Sequence, residues 1–177
     1  RSTRYRAQIQ RVSDDNFWKD FPQVLGLTVP RLLGQDLQLQ RDLDTAAGPL
    51  TAYARLQHWQ VLQTGSGTDR ISAPYQRSPQ LGLRLAPVLP GGLRASVETE
   101  LNHFTRTPGS ADRTAPEGWR WHALGQISRP LSWPGAWITP RLSLNMASYR
   151  FAAPGQDRQQ ASRVIPSASV DAGMVFE

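Results

Sequence analysis

Residues 78–105 read SPQLGLRLAPVLPGGLRASVETELNHFT. In the first arm Leu81, Leu83 and Leu85 fall on one side, and Gln80, Gly82 and Arg84 on the other. In the second, Leu93, Ala95, Val97, Thr99 and Leu101 oppose Arg94, Ser96, Glu98, Glu100 and Asn102. A period of two sends successive side chains to opposite sides of a strand. Between the arms stands Pro90-Gly91-Gly92, where glycine accepts the positive φ that a tight reversal needs. The stretch therefore predicts an antiparallel hairpin with one oily and one polar face.

The same pattern recurs along the chain. It predicts strands over residues 4–12, 32–43, 50–63, 119–131, 136–151 and 163–177, which with the hairpin arms makes about eight. Their connections alternate: long at 13–31, 64–77 and 106–118, short at 44–49, Pro90-Gly91-Gly92 and Trp133-Pro134-Gly135, and medium at 152–162. That alternation predicts an all-β, antiparallel, up-and-down transmembrane β-barrel segment with short periplasmic turns and long extracellular loops. The aromatic residues fit two belts at the lipid headgroups. Trp59, Phe104, Trp119, Trp121, Tyr149 and Phe151 would form the outer belt, and Trp133, Trp137, Tyr53 and Phe176 the inner one. Pro79, Pro140 and Pro166 fall inside predicted strands, where each lacks a ladder donor.

Composition narrows the function classes. The 177 residues carry no cysteine, which excludes internal disulfides and thiolate metal sites. No apolar run reaches the ~18 residues of a membrane helix, but a barrel strand needs only ~9–11 residues of alternating character. Without an initiator Met or an apolar leader, the chain reads as a mature protein or an excised piece. The net charge of +6 invites a nucleic-acid reading, but the arginines are scattered over every polar strand face, with no basic run or binding motif. Trp119-Arg120-Trp121-His122, at a strand start beside a long loop, reads as part of a girdle and not as a base-stacking platform. Catalysis has little to stand on: His58, His103 and His122 lie within strands and no Gly-x-Ser-x-Gly turn is present. Ser13-Asp14-Asp15-Asn16 reads as the cap of one helical turn, since a third ligand at calcium-loop spacing would fall on Lys19 or beyond. No enzyme activity, cofactor or metal is expected.

Several blocks resemble a known family. Ser13-Asp14-Asp15-Asn16-Phe17 with Asp20-Phe21, and Pro74-Tyr75-Gln76-Arg77-Ser78-Pro79-Gln80-Leu81, are similar to stretches of the lipopolysaccharide-assembly outer-membrane protein family LptD, also called organic solvent tolerance protein. Arg163-Val164-Ile165-Pro166 followed by Ser169-Val170-Asp171-Ala172-Gly173-Met174-Val175-Phe176-Glu177 resembles that family's closing Arg-x-x-Pro…Asp-x-Gly-x-x-Phe-Glu segment. The resemblance implies a translocon in the Gram-negative outer membrane that inserts lipopolysaccharide into the outer leaflet without catalysis. It implies two protein partners: a lipoprotein plug of the LptE type in the lumen, and a periplasmic bridge protein reached through a domain outside this chain. The chain would then be an internal slice of a barrel of ~26 strands.

On this reading Arg4, Arg6, Arg55, Arg84, Arg94, Glu98, Glu100, Asn102, Arg120, Arg141 and Asn145 face the lumen, where they could touch the plug or the substrate. Most would simply solvate a polar interior. Two rivals remain open at this point: a complete eight-stranded barrel with a structural or adhesive role, and a soluble glycan-binding β-sandwich with its apolar faces hidden between two sheets.

Overall fold

The computed structural model describes residues 2–15, 31–63 and 71–175, so the predicted helical turn beyond Asp15 and the belt residue Phe176 lie outside the described residues. Alternation produces strands wherever it was read. The strands are β1 (Ser2–Ile9), β2 (Leu32–Thr45), β3 (Gly48–Val61), β4 (Gln76–Leu85), β5 (Arg94–Thr105), β6 (Glu117–Ser128), β7 (Leu131–Trp133), β8 (Ala136–Ala152) and β9 (Gln159–Met174). All pair antiparallel in a single sheet of sequential neighbours, with β7 and β6 both lying against β8.

The break between β6 and β7 has a local cause. Ser128 opposes Arg141 and Leu131 opposes Ile138, so the register runs on unbroken across the gap. Pro130 and Pro140 remove donors on both sides of that gap, and only Arg129 N to Pro140 O, 3.1 Å, bridges it. The single strand expected at 119–131 is thus divided into two. Pro79 sits where the β4 register shifts against both neighbours, and Pro166 lies on the edge strand β9, two positions that tolerate proline.

The connections follow the expected alternation with one difference. Ala46-Ala47 and Pro134-Gly135 are two-residue turns. The joint between β4 and β5 is longer, because after Leu85 the chain keeps running along the β2–β3 turn. Ala86 N donates to Pro49 O at 3.1 Å and Val88 N to Ala47 O at 3.0 Å before Gly91 and Gly92, with φ of 70° and 73°, reverse it.

The sheet is one layer thick. Among the described residues, Leu33, Val61, Leu62, Ala123 and Ala147 are the buried hydrophobic ones, while Leu142 is 60% and Val170 64% exposed. The accessible surface is 12563 Å², against ~8,600 Å² expected for a compact monomer of this mass. The leucine sides do not meet in a dry centre, which overturns the sandwich. A complete small barrel is not formed either, because β1 and β9 do not pair.

Register settles the facing. Directly opposed residues share a face, so the rung Tyr5–Leu39–Ala54–Leu81–Leu101–Trp121 belongs to one side and Arg6–Gln38–Arg55–Gln80–Asn102–Arg120 to the other. The two-belt arrangement of aromatics needs correction. Trp119, Trp121 and Trp133 do lie on the apolar face, but Trp59, Tyr53, Phe104, Trp137, Tyr149 and Phe151 lie on the polar face. Glycine explains most of this. Trp59 opposes Gly34, Tyr53 opposes Gly82, Trp137 opposes Gly173, and Phe104 and Phe151 flank Gly118. A Cβ on Gly82 would overlap the Tyr53 ring, and one on Gly173 the Trp137 ring. The rings lie down over the bare backbone of the neighbouring strand and cover it.

Candidate functional site

All eleven residues expected on the lumen side share the polar face: Arg4 and Arg6 on β1, Arg55 on β3, Arg84 on β4, Arg94, Glu98, Glu100 and Asn102 on β5, Arg120 on β6, and Arg141 and Asn145 on β8. The structure brings some of them together and leaves others apart.

Three carboxylate hubs organise β1 to β5. Asp42 accepts from Ser2 Oγ at 2.9 Å, Arg4 at 2.6 Å, Gln40 Nε2 at 3.1 Å and Thr51 Oγ1 at 2.9 Å. Asp36 takes the Arg55 guanidinium through both Nε and Nη2, with Nε at 2.9 and 3.0 Å from the two oxygens. Glu100 accepts from Tyr53 Oη at 2.5 Å, Gln80 Nε2 at 2.8 Å and Asn102 Nδ2 at 2.6 Å. Arg84 lies 5.4 Å over the Tyr53 ring and pairs with Glu98 at 3.2 Å, which adds a cation–π contact to the lattice. Such charge-assisted bonds tie three strands at Asp42 and at Glu100, and two at Asp36.

β6 to β9 carry another chemistry. Arg94, Ser128, Arg141 and Ser169 occupy one rung, and neither arginine meets a carboxylate among the described residues. His122 pairs with Asn145 at 3.2 Å, and Asp171 accepts from Trp137 Nε1 at 2.9 Å. On the rung Gln80–Asn102–Arg120, the atoms Gln80 Oε1, Asn102 Oδ1 and Arg120 Nε are buried without a hydrogen-bond partner among the described residues.

Above that rung, at the long-loop end, is a recess of about 350 Å³ lined by Tyr75, Phe104, Pro116, Gly118, Trp119, Arg120, Tyr149 and Phe151. Two loop segments fold over each other to form its rim. Thr107 Oγ1 donates to Pro74 O at 2.7 Å, Ser110 Oγ accepts from Ala73 N at 3.0 Å, and Tyr75 Oη donates to Pro116 O at 2.7 Å. Burial pushes the Tyr75 hydroxyl above its ordinary pKa, which keeps it a donor. Leu62, fully buried, anchors this end through Leu62 N to Arg31 O at 2.8 Å. Sequence reasoning missed the recess, because the parity that would have placed Phe104, Tyr149 and Phe151 on the polar face was set aside in favour of their position near strand ends. No three His, Cys, Asp or Glu side chains gather to hold a metal among the described residues.

The comparisons agree with the geometry. The family model "LptD: LPS transport system D" matches residues 2–177. The chain belongs to the LptD family. It is similar to the LPS-assembly protein LptD of Acidovorax sp. (strain JS42), 39% identical over 96% of this chain and 21% of that protein. The corresponding proteins of Paracidovorax citrulli (strain AAC00-1) and Albidiferax ferrireducens are each 38% identical, over 94% and 96% of the chain and 20% of their own length. The chain thus spans about a fifth of the length of the curated LptD relatives it matches. They are named for assembly and not for catalysis, and the all-β open sheet is consistent with a β-barrel segment.

Proposed function

We propose that this chain forms part of the wall of an outer-membrane β-barrel that passes lipopolysaccharide to the outer leaflet, its apolar face toward lipid and its polar face toward the lumen. The observation that carries this reading is a single-layer sheet with both edge strands exposed, oily on one side and laced with arginine and carboxylate on the other. In water such a sheet is unstable, whereas lipid on one side and a wet interior on the other satisfy both faces. The relatives' role in LPS assembly supplies the cargo. Arg94 and Arg141 offer guanidinium groups for phosphate, and the recess beside Arg120 offers rings for sugars. A lipoprotein plug would occupy the same lumen, and a periplasmic bridge protein would deliver through a domain outside this stretch.

The test is site-specific photo-crosslinking in the full-length protein in Gram-negative cells. A crosslinker replacing Arg94, Arg120 or Arg141 is expected to capture lipopolysaccharide or the plug, and one replacing Leu83 or Val97 neither. Capture at the leucine and valine positions alone would reverse the facing and sink the proposal. Substitution provides a second reading. Leu83→Arg, Val97→Arg or Leu142→Arg should destabilise the inserted barrel by ~2–4 kcal/mol near the midplane, and Ser96→Arg or Ser143→Arg far less.

A further inference from the structure

The apolar face carries a furrow that the translocon reading does not use. It has a volume of about 470 Å³ and crosses β2 to β6 along two adjacent rungs. Ala52 and Ala54 keep its floor low, while Leu39, Leu81, Leu83 and Leu101 stand along it and Trp121 closes one end. At the other end is Arg41, exposed and with no ion pair or hydrogen bond to a described side chain. Two other charges of this face, Glu117 and Arg150, lie at the long-loop end, with Glu117 held by Arg106 at 3.2 Å, and a third, Arg129, falls opposite Pro140 just beyond β6, well away from Arg41. Arg41 is four residues from the end of β2 at Thr45, ~13 Å along the strand from the short turn. An arginine at that height can lay its stem along the apolar wall and carry its guanidinium to headgroup level.

We propose that this furrow is a binding site for one anionic glycerophospholipid, with an acyl chain lying over Ala52 and Ala54 and the phosphate on Arg41. The inference rests on the reading that the apolar face meets lipid. Two features of the site select the occupant. The furrow is shaped for a flexible hydrocarbon chain, which fills the gap left by small residues among leucines. The lone guanidinium complements a phosphate, which it can bind through two parallel N–H···O bonds. The sheet supplies its own control. A second furrow of about 650 Å³, over Gly125 between Val97, Ile127, Leu142, Leu144 and Pro166, has similar apolar walls and no charged side chain. With Arg129, two residues beyond Ile127 on the same face, replaced by Gln, it should take acyl chains without regard to headgroup.

The experiment uses the full-length protein reconstituted in phosphatidylcholine vesicles. Either phosphatidylglycerol or a fraction of the phosphatidylcholine carries brominated acyl chains at the same mole fraction. Trp121 fluorescence is isolated as the difference between the protein and its Trp121→Phe variant. Brominated phosphatidylglycerol is expected to quench Trp121 about fivefold more effectively than the brominated neutral lipid, the preference one arginine beside anionic lipid confers. Arg41→Gln should abolish that preference, Arg41→Lys should retain part of it, and Arg150→Gln should leave it intact. A tryptophan placed by Leu142→Trp in the second furrow, in the Arg129→Gln background, should be quenched equally by both lipids. Equal quenching of Trp121 by both lipids, unchanged in Arg41→Gln, would overturn the site while leaving the membrane reading standing. Quenching of Trp121 by neither lipid would overturn both.

Discussion

The polar face divides into two regions that share arginine but differ in what the arginine meets. On β1 to β5, Asp42 and Glu100 each collect donors from two other strands, Asp36 takes Arg55 from one, and Arg4, Arg55 and Arg84 are neutralised across the ladder. On the rung that continues from β5 through β6 and β8 to β9, Arg94 and Arg141 alternate with Ser128 and Ser169 and meet no described carboxylate. The first region uses its charges to fix strand register. The second holds cationic charge in reserve, which suits an anionic visitor and contributes little to holding the sheet together. Charge composition alone cannot separate these uses, because both regions carry arginines at polar-side positions of their strands.

The largest expected effect tests the first region at its most connected point. Glu100→Ala leaves Tyr53 Oη, Gln80 Nε2 and Asn102 Nδ2 without their acceptor, and Asn102 is only 1% exposed. Stranding buried donors costs ~1–3 kcal/mol, and three share this one. Urea unfolding of the refolded full-length barrel should show a loss of ~2–3 kcal/mol. A change under ~0.5 kcal/mol would mean the hub is decorative and the two regions are alike.

Next comes a test that cuts across the division. Gly82→Leu would drive Tyr53 off both Gly82 and Glu100, and Gly173→Leu would drive Trp137 off Asp171. Overpacking of this kind costs ~1–3 kcal/mol. The Gly82 variant should be the worse, since it also breaks the hub. If the two losses are equal, the aromatic–glycine cover matters more than the carboxylate beneath it.

How much of this was legible in the sequence follows from the same contrast. Period two fixed which residues share a face, because parity needs no knowledge of the partner strand, and so the eleven polar-face residues are found together. Features that depend on the partner were hidden. Asp42 collects Ser2 and Thr51 only because β1 and β3 both flank β2 in that register. Pro130 divides a strand only because Pro140, opposite the adjacent Arg129, lacks a donor as well. The aromatics misled for a related reason: near strand ends they resemble a lipid belt, but Tyr53, Trp59 and Trp137 oppose glycines that are remote in sequence.

A smaller effect is expected at the exposed rim of the first region. The Arg84–Glu98 pair, with side chains 59% and 39% exposed, should be worth ~0.2–1 kcal/mol in a double-mutant cycle and should weaken with added salt. A salt-independent coupling above that range would show that this pair belongs to the hubs and not to the rim.

The smallest effect on stability is the one that gives the second region its meaning. Arg141→Ala removes a side chain that pairs with nothing described, so the unfolding free energy should change by no more than ~0.5 kcal/mol. Its removal can even relieve repulsion from Arg94 on the same rung. Binding should respond instead: in the full-length protein, the double variant Arg94→Ala and Arg141→Ala should weaken retention of lipopolysaccharide, with the largest difference at low ionic strength, where guanidinium–phosphate attraction is least screened. Loss of stability with unchanged lipopolysaccharide retention would invert the contrast and make this rung a second register device whose carboxylates lie on strands outside this stretch.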